Sequence, residues 1–559
     1  MTIFAVRYAT PKFPCLFTKF AFHFCSPFAE NVRFYSHCEY PNVNKSFGFS
    51  NLDDALAAFN QIVHKRSPPP IAYFNKILGT IARMKHYPTA ISLYRQMEFV
   101  GISPSTCTLN ILINCYCHLH QVDFGFSILG KIMKIGYGPD KITLTTLIKG
   151  LCINNRICKA LEFHNSAVEK GYKFNEVAYG TIVNGLCKTG NVGLAIGLLR
   201  TIEEHALKPD LLMYNMIIDR LCKEGHIIEA LKFLAEMIVM GIPYTVVTIT
   251  SLVQGFCNVG RWKKAIQLLN DMSGKTINPD VITFNVLIDS LCKEGMVLEA
   301  QVVINMMIKR GITPDIVTRN ALMYGYCLNS KVDKAREIFD MMVKRGITPD
   351  IFSYSILING YCNIERIHIA INLFKAMQHE NLVADTVILT SLIDGLGKSG
   401  RTSDAEELFD AMQPTGSDPT LITYNVLLNA MCRSQHLDNA TALFQTIVDI
   451  GLTPDIFTYS ILIDGLCKAG ELKAAQEIFQ MLFTKGCHPN VLTYTIMING
   501  LCKEGFFDEA LALLAKMKDN DCPPDAVTYK IIIRALQEKN QIYQAEQLHH
   551  EMIDRGLGK

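Results

Sequence analysis

The chain has 559 residues, is 49% hydrophobic and 19% charged, and carries a formal net charge of only +2. That balance excludes a strongly basic polyelectrolyte, so any affinity for nucleic acid has to come from how charges are placed rather than from their sum. No run of 18 apolar residues occurs, which excludes a spanning helix.

Residues 1–36 hold Arg7, Lys12, Lys19 and Arg33 against the single acid Glu30, among eight phenylalanines. An acid-poor basic leader predicts organelle import. The segment Arg33-Phe34-Tyr35-Ser36 resembles a mitochondrial processing site cut before Ser36, with a chloroplast address as the alternative. Residues 37–70 form an N-terminal cap or partial repeat, in which residues 52–65 read as a lone helix. From Ile71 onward the sequence repeats every 35 residues, starting at 71, 106, 141, 176, 211, 246, 281, 316, 351, 386, 421, 456, 491 and 526, without insertion or deletion.

The unit 281–315 displays the plan. Thr283 is expected as a helix N-cap. Phe284, Leu287, Ile288 and Leu291 recur at helical spacing and Gly295 ends the first helix. Leu298, Ala300, Val303, Ile304 and Met307 are expected on the inner face of a second helix, which Gly311 closes and Pro314 prevents from continuing. The twentieth residue of the period is Ala in thirteen units and Gly125 in the other, so two helix backbones must approach closely there. Neither helix buries its apolar face alone, and stacked units make a continuous core. Of nineteen cysteines, eleven fall on the twelfth position (Cys117, Cys152, Cys187 and their successors), a packing pattern rather than a disulfide or metal framework. The run Cys115 to His120 (CYCHLH) looks like a zinc cluster, but residues two apart on a helix do not face one another. No paired catalytic carboxylates, Gly-rich phosphate loop or deaminase signature is present, so the chain is read as non-catalytic and without a cofactor or metal.

The segments ITFNVLIDSLCKEG (282–295) and IFTYSILIDGLCKAG (456–470), with the closing G-[IL]-TPD, resemble the pentatricopeptide repeat family over residues 71–559. The constant unit length resembles its P class, and the LCKEG and LCKAG endings resemble its restorer-of-fertility-like branch in plants. The alternative, a protein-binding scaffold of the tetratricopeptide kind, lacks that family's Trp-Leu-Gly-Tyr pattern and its 34-residue period. The resemblance implies an all-α, right-handed superhelical solenoid that binds single-stranded RNA. One repeat reads one base through its fifth and last residues, while the second residue packs on the bases. It implies a single chain acting in mitochondria on the processing, stability or translation of one transcript, with a recruited nuclease or processing factor among its outcomes. No editing or nuclease domain is expected after the last repeat.

Under that implied code Asn with Asp favours U, Thr or Ser with Asp favours G, Thr or Ser with Asn favours A, and Asn with Ser favours C. Asn75 with Ser105 then reads C, Asn110 with Asp140 U, Thr145 with Asn175 A, and Gly180 with Asp210 G. Asn215 with Thr245 reads a pyrimidine, Thr250 with Asp280 G, and both Asn285 with Asp315 and Asn320 with Asp350 U. Ser355 with Asp385 reads G, Thr390 with Thr420 is undefined, Asn425 with Asp455 reads U, Ser460 with Asn490 A, and Thr495 with Asp525 G. Lys530 has no partner. The implied site is 5′-CUAGYGUUGNUAG-3′.

Two further rows accompany these pairs. The second residues, from Ala72 and Cys107 through Ile282 and Phe457 to Val527, are all apolar, and serve either as core or as a platform for bases. The thirteenth residues include Arg83, His118, Lys188, Lys223, Lys293, Lys398, Arg433, Lys468 and Lys503. A cation there either complements a helix C-terminus or, as the resemblance implies, meets a phosphate once per nucleotide.

Overall fold

The computed structural model describes residues 51–65, 69–204, 208–271, 278–413 and 416–557. Among them are 29 helices and no strand. The leader and its processing site lie outside the described residues. The chain divides into two compact units, Met1–Asn154 and Asn155–Lys559.

In the first unit the helix Leu52–Val63 buries Ala55, Phe59 and Val63, and Phe59 meets Phe74 edge-on at 5.8 Å. Two helix pairs follow, Ile71–Arg83 with Tyr87–Phe99 and Thr106–His118 with Val122–Lys134, and then the helix Lys141–Ile153. The second unit opens on Ile157–Glu169 and continues with eleven helix pairs, ending at Ala526–Glu538 and Ile542–Asp554. Within each unit a first helix packs on its own second helix and on the next first helix, the arrangement of an α-solenoid.

The core follows the period. The twentieth-position alanines, Ala300 and Ala335 for example, are fully buried. At Gly125 an added Cβ would lie 3.3 Å from Leu147 Cδ2, which explains the smaller residue. The twelfth-position cysteine of one repeat fits against the tenth-position glycine of the next: a Cβ on Gly325 would sit 2.7 Å from Cys292 Cβ. Where the twelfth residue is Gly397, the facing residue becomes Ala430, so the methyl group changes sides and the contact is kept. Burial pushes these thiols up, to about 12 at Cys292 and Cys362.

Two features of the unit 281–315 differ from the sequence expectation. The first helix is Val281–Lys293, and its N-cap is Asp280, the last residue of the preceding unit; Thr283 is three residues inside. The carboxylate outcompetes the hydroxyl because it accepts both the Thr283 N–H, at 2.9 Å, and the Thr283 hydroxyl, at 2.8 Å. In the second helix Val297, Ala300, Val303 and Met307 are buried, whereas Leu298 is 72% exposed. An i, i+3, i+6, i+10 stripe is enough to cover the neighbouring helix, and Leu298 lies one residue off it.

Candidate nucleic-acid interface

The last residue of each repeat is the N-cap of the next first helix. Asp140, Asn175, Asp210, Asp280, Asp315, Asp350, Asp385, Asp455, Asn490 and Asp525 each accept the backbone N–H three residues on. Ser105 and Thr420 do the same. Capping of this kind contributes about 1 kcal/mol per helix. It also fixes a side chain that is otherwise free to rotate.

The fifth residue meets that cap from the repeat before. Asn285 Nδ2 donates to Asp315 Oδ1 at 3.1 Å, and Asn320 Nδ2 to Asp350 Oδ1, also at 3.1 Å. Asn110 to Asp140, Asn425 to Asp455 and Asn75 to Ser105 are joined in the same way. Asn110, Asn285 and Asn320 are nearly buried while their caps stay half-buried or exposed. Because each amide NH2 faces a carboxylate, its orientation is fixed.

A third side chain completes the cluster: the third residue of the next repeat. The Thr318 hydroxyl lies 2.6 Å from Asn285 Oδ1 and 2.9 Å from Asp315 Oδ1. Thr143 and Ser353 hold Asn110 and Asn320 likewise, and Thr108 and Thr248 hold Asn75 and Asn215. At Asn425 the Thr458 hydroxyl turns to Asp455, and Asn425 Oδ1 is buried with no hydrogen bond.

Hydroxyl-bearing fifth residues reach the same group. Thr250 lies 2.8 Å from the Thr283 hydroxyl and 2.8 Å from its own helix carbonyl at Val246. Thr390 with Thr423, Ser460 with Thr493 and Thr495 with Thr528 repeat the contact, which links each to its cap Thr420, Asn490 or Asp525. Two pairs are not brought together in this way. Gly180 has no side chain to offer Asp210, and Met213 Cε closes on it, 3.5 Å from where a Cβ would stand. Ser355 has Ile388 opposite and makes no hydrogen bond to Asp385 among the described residues. Thr145 and Asn175 fall in different units.

The second residues are on the surface. Ile142, Val177, Val247, Ile282, Ile422 and Val527 are 42–51% exposed, and Phe457 is 57% exposed. They share a helix face with the fifth and ninth residues, being three and seven positions apart. Apolar residues placed at the surface once per repeat do not serve the core.

The thirteenth residues sit at first-helix C-termini, as Lys188, Lys223, Lys293, Lys398, Arg433, Lys468 and Lys503 do. Four of them are engaged by an aspartate four residues earlier: Lys223 by Asp219, Lys293 by Asp289, Lys398 by Asp394 and Lys468 by Asp464. Arg83 donates to the Thr80 hydroxyl. His118 stacks on Tyr87 at 4.9 Å. Asp289 is held above the usual carboxylate range by burial, against the pull of Lys293.

Comparison with known proteins decides the family. The PPR repeat family model matches residues 69–118, 139–188, 209–258, 244–293, 279–327, 314–363, 384–433, 419–468, 454–503 and 497–538, more than half of the chain. A second PPR repeat model matches residues 107–137, 177–206, 352–382 and 527–557. The chain belongs to the PPR repeat family. A mitochondrial pentatricopeptide repeat-containing protein of Arabidopsis thaliana is 43% identical over 84 residues, which span 15% of this chain and 17% of that protein. Another from the same plant, also mitochondrial by name, is 39% identical over 80 residues, 14% of this chain and 13% of its own. The aligned stretches thus span under a fifth of either relative's length. Among solved structures, the pentatricopeptide repeat protein PPR10 from maize matches with a TM-score of 0.63 at 21% identity, over 90% of this chain and 82% of that one. PPR10 in complex with an 18-nt psaJ RNA element matches with a TM-score of 0.59 at 22% identity, over 91% and 83%. At such identities the likeness is one of fold.

The site of this PPR chain contains one residue class that the sequence offered only as a helix cap, at Thr283, the third-position hydroxyls. Thr108, Thr143, Thr248, Thr283, Thr318, Ser353, Thr423, Thr458, Thr493 and Thr528 are fully buried. The recurring Asp-x-x-Thr spacing, as in Asp315 to Thr318, is a capping signature that points to them.

Proposed function

We propose that this chain binds one single-stranded RNA by sequence, one base per repeat, without catalysing a reaction on it. The observation that carries the reading is the cluster of fifth residue, cap and third-position hydroxyl, recurring at most of the pairs, whose internal hydrogen bonds leave a defined donor or acceptor on each side chain. In the Asn285–Asp315 pair, Asn Oδ1 is taken by Thr318 and Asp Oδ1 by the helix N–H, so an amide N–H and the second carboxylate oxygen remain. A donor beside an acceptor complements U, which offers a carbonyl beside N3–H on its exposed edge. In Thr250–Asp280, Thr283 gives its only proton to the carboxylate, so Thr250 must spend its own on Thr283 or on the Val246 carbonyl. Two acceptors remain, and they complement the N1–H and N2–H2 of G. In Ser460–Asn490 the Asn490 carbonyl is taken by the Thr493 N–H and hydroxyl, leaving an acceptor and a donor for the N1 and N6–H2 of A.

The exposed second residues supply the apolar contact that a base face requires. PPR10, similar in fold, is found in complex with an 18-nt RNA element, which supports RNA as the ligand. The proposed target is 5′-CUAGYGUUGNUAG-3′, with the 5′ base at the repeat of Asn75. Relatives named as mitochondrial support a mitochondrial transcript, whose processing, stability or translation the bound protein controls. The constant 35-residue period and the LCKEG endings support placement in the P class and its restorer-of-fertility-like branch, and thereby a role in fertility restoration.

Equilibrium binding to this 13-nucleotide RNA, to scrambled RNAs of the same composition and to the matching DNA tests the proposal. Preference for the designed RNA is expected. Equal affinity for all of them overturns it.

A further inference from the structure

The third residue of each following repeat lies outside the two-residue reading, yet it decides what the other two can present. All six fifth-position asparagines, Asn75 and Asn425 at the ends of the series among them, precede a Thr or Ser at that place. The three non-hydroxyl residues there, Ala178, Met213 and Ile388, follow Thr145, Gly180 and Ser355 instead. A buried amide carbonyl calls for a donor, which five of the six receive from that hydroxyl and Asn425 does not, whereas a small hydroxyl makes no such demand.

We infer that this third residue is a specificity-determining position of the RNA interface: a hydroxyl fixes the hydrogen-bond polarity of the fifth residue of the preceding repeat, and an apolar side chain releases it. The inference rests on the base reading above. The Thr318 hydroxyl, 2.6 Å from Asn285 Oδ1, keeps that carbonyl turned inward and the amide N–H turned out. Without it the amide is free to turn its carbonyl outward and accept the N–H groups of G. Ile388 shows the released state. The Ser355 hydroxyl makes no hydrogen bond among the described residues, so it keeps both a proton and lone pairs for the base. Paired with the Asp385 acceptor, it serves G by accepting and U by donating, the polarity that Asn285 and Asp315 present. The ninth base of the target is therefore G or U rather than G alone.

The test measures affinities of the full chain for the 13-nucleotide RNA and for versions changed at one base. Thr318→Val is expected to lower the preference for U over G at the seventh base about tenfold, the equivalent of about 1.4 kcal/mol, while Thr318→Ser keeps it. Ile388→Thr is expected to raise the preference for G over U at the ninth base, because the introduced hydroxyl would bond to Asp385 and take the Ser355 proton. Preferences at the other bases stay unchanged in both variants, which separates this effect from loss of fold. If Thr318→Val does not fold, as read by helix content and melting, the Ile388→Thr result decides. Wild-type protein that prefers U at the seventh base, with base ratios unmoved by Thr318→Val and Ile388→Thr, overturns this inference alone. Wild-type protein without preference at the seventh base overturns the base reading, and this inference with it.

Discussion

Asp315→Asn separates the two jobs of the last residue, because asparagine caps a helix as well as aspartate does. The chain already carries the outcome at Asn490, whose Oδ1 accepts the Thr493 N–H and hydroxyl, each at 2.9 Å. Loss of the charge at the helix N-terminus costs about 1–2 kcal/mol at a half-buried cap, so the fold is expected to persist. The surface chemistry changes more. With Oδ1 committed to the cap, the atom that turns outward is Nδ2, and an acceptor becomes a donor. Asn285 already presents a donor, since Thr318 holds its carbonyl. Two donors side by side complement the N3 and O2 acceptors of C and oppose the N3–H of U. One hydrogen bond is lost to U and one gained to C, each worth about 1–3 kcal/mol of discrimination. The preference at the seventh base is thus expected to pass from U to C, by a factor of at least about ten in the ratio of affinities. Fluorescence polarisation with four 13-nucleotide RNAs differing only at that base, at one fixed ionic strength, measures it. A variant that melts like the wild type and still prefers U over C refutes the assignment of Asp315 to that base.

Three further outcomes follow from the same geometry. Changing Asp219, Asp289, Asp394 and Asp464 together to asparagine releases Lys223, Lys293, Lys398 and Lys468 from their ion pairs; the plot of log affinity against log salt should steepen by about 0.7 per lysine that reaches a phosphate, and an unchanged slope would remove these lysines from the interface. Gly325→Ala places a methyl group 2.7 Å from Cys292 Cβ and should destabilise by overpacking of about 1–3 kcal/mol, less about 1 kcal/mol from the better helix propensity of alanine. Adding Cys292→Gly recreates the native Gly397–Ala430 arrangement, so a double-mutant cycle on denaturation midpoints should give favourable coupling, and strict additivity would contradict the packing. Because burial pushes Cys292, Cys362 and Cys432 up to about 12, almost none of each is thiolate at pH 8; site-resolved alkylation of the folded protein should mark exposed Cys158 and spare these three, with all of them reacting in denaturant.

The periodic core was legible because it depends on residue size at fixed spacing. Ala300 is small in a place where two helices meet, and any reader of the sequence sees that place recur. The pairs proposed to read bases were legible only through family resemblance, since Asn285 and Asp315 stand thirty residues apart and nothing local joins them. The apolar second row was ambiguous for a physical reason: Ile282 and Phe284 are both apolar within the first turn of one helix, yet Phe284 is fully buried and Ile282 is 44% exposed. Only the direction of the neighbouring repeat distinguishes them. Charge was the most misleading signal. Lys293 and Lys468 look like a phosphate row when counted by position, but Asp289 and Asp464 stand one helical turn before them. The positive field of such a repeat is cancelled as long as the ion pair holds. Where the ninth residue is Asn429 or Asn499, Arg433 and Lys503 have no carboxylate one turn back to displace. On the proposed reading, electrostatic attraction along the RNA is therefore uneven, strongest where the ninth residue is neutral, and the hydrogen-bond polarity at each base has to supply the selectivity that a near-neutral chain cannot draw from charge.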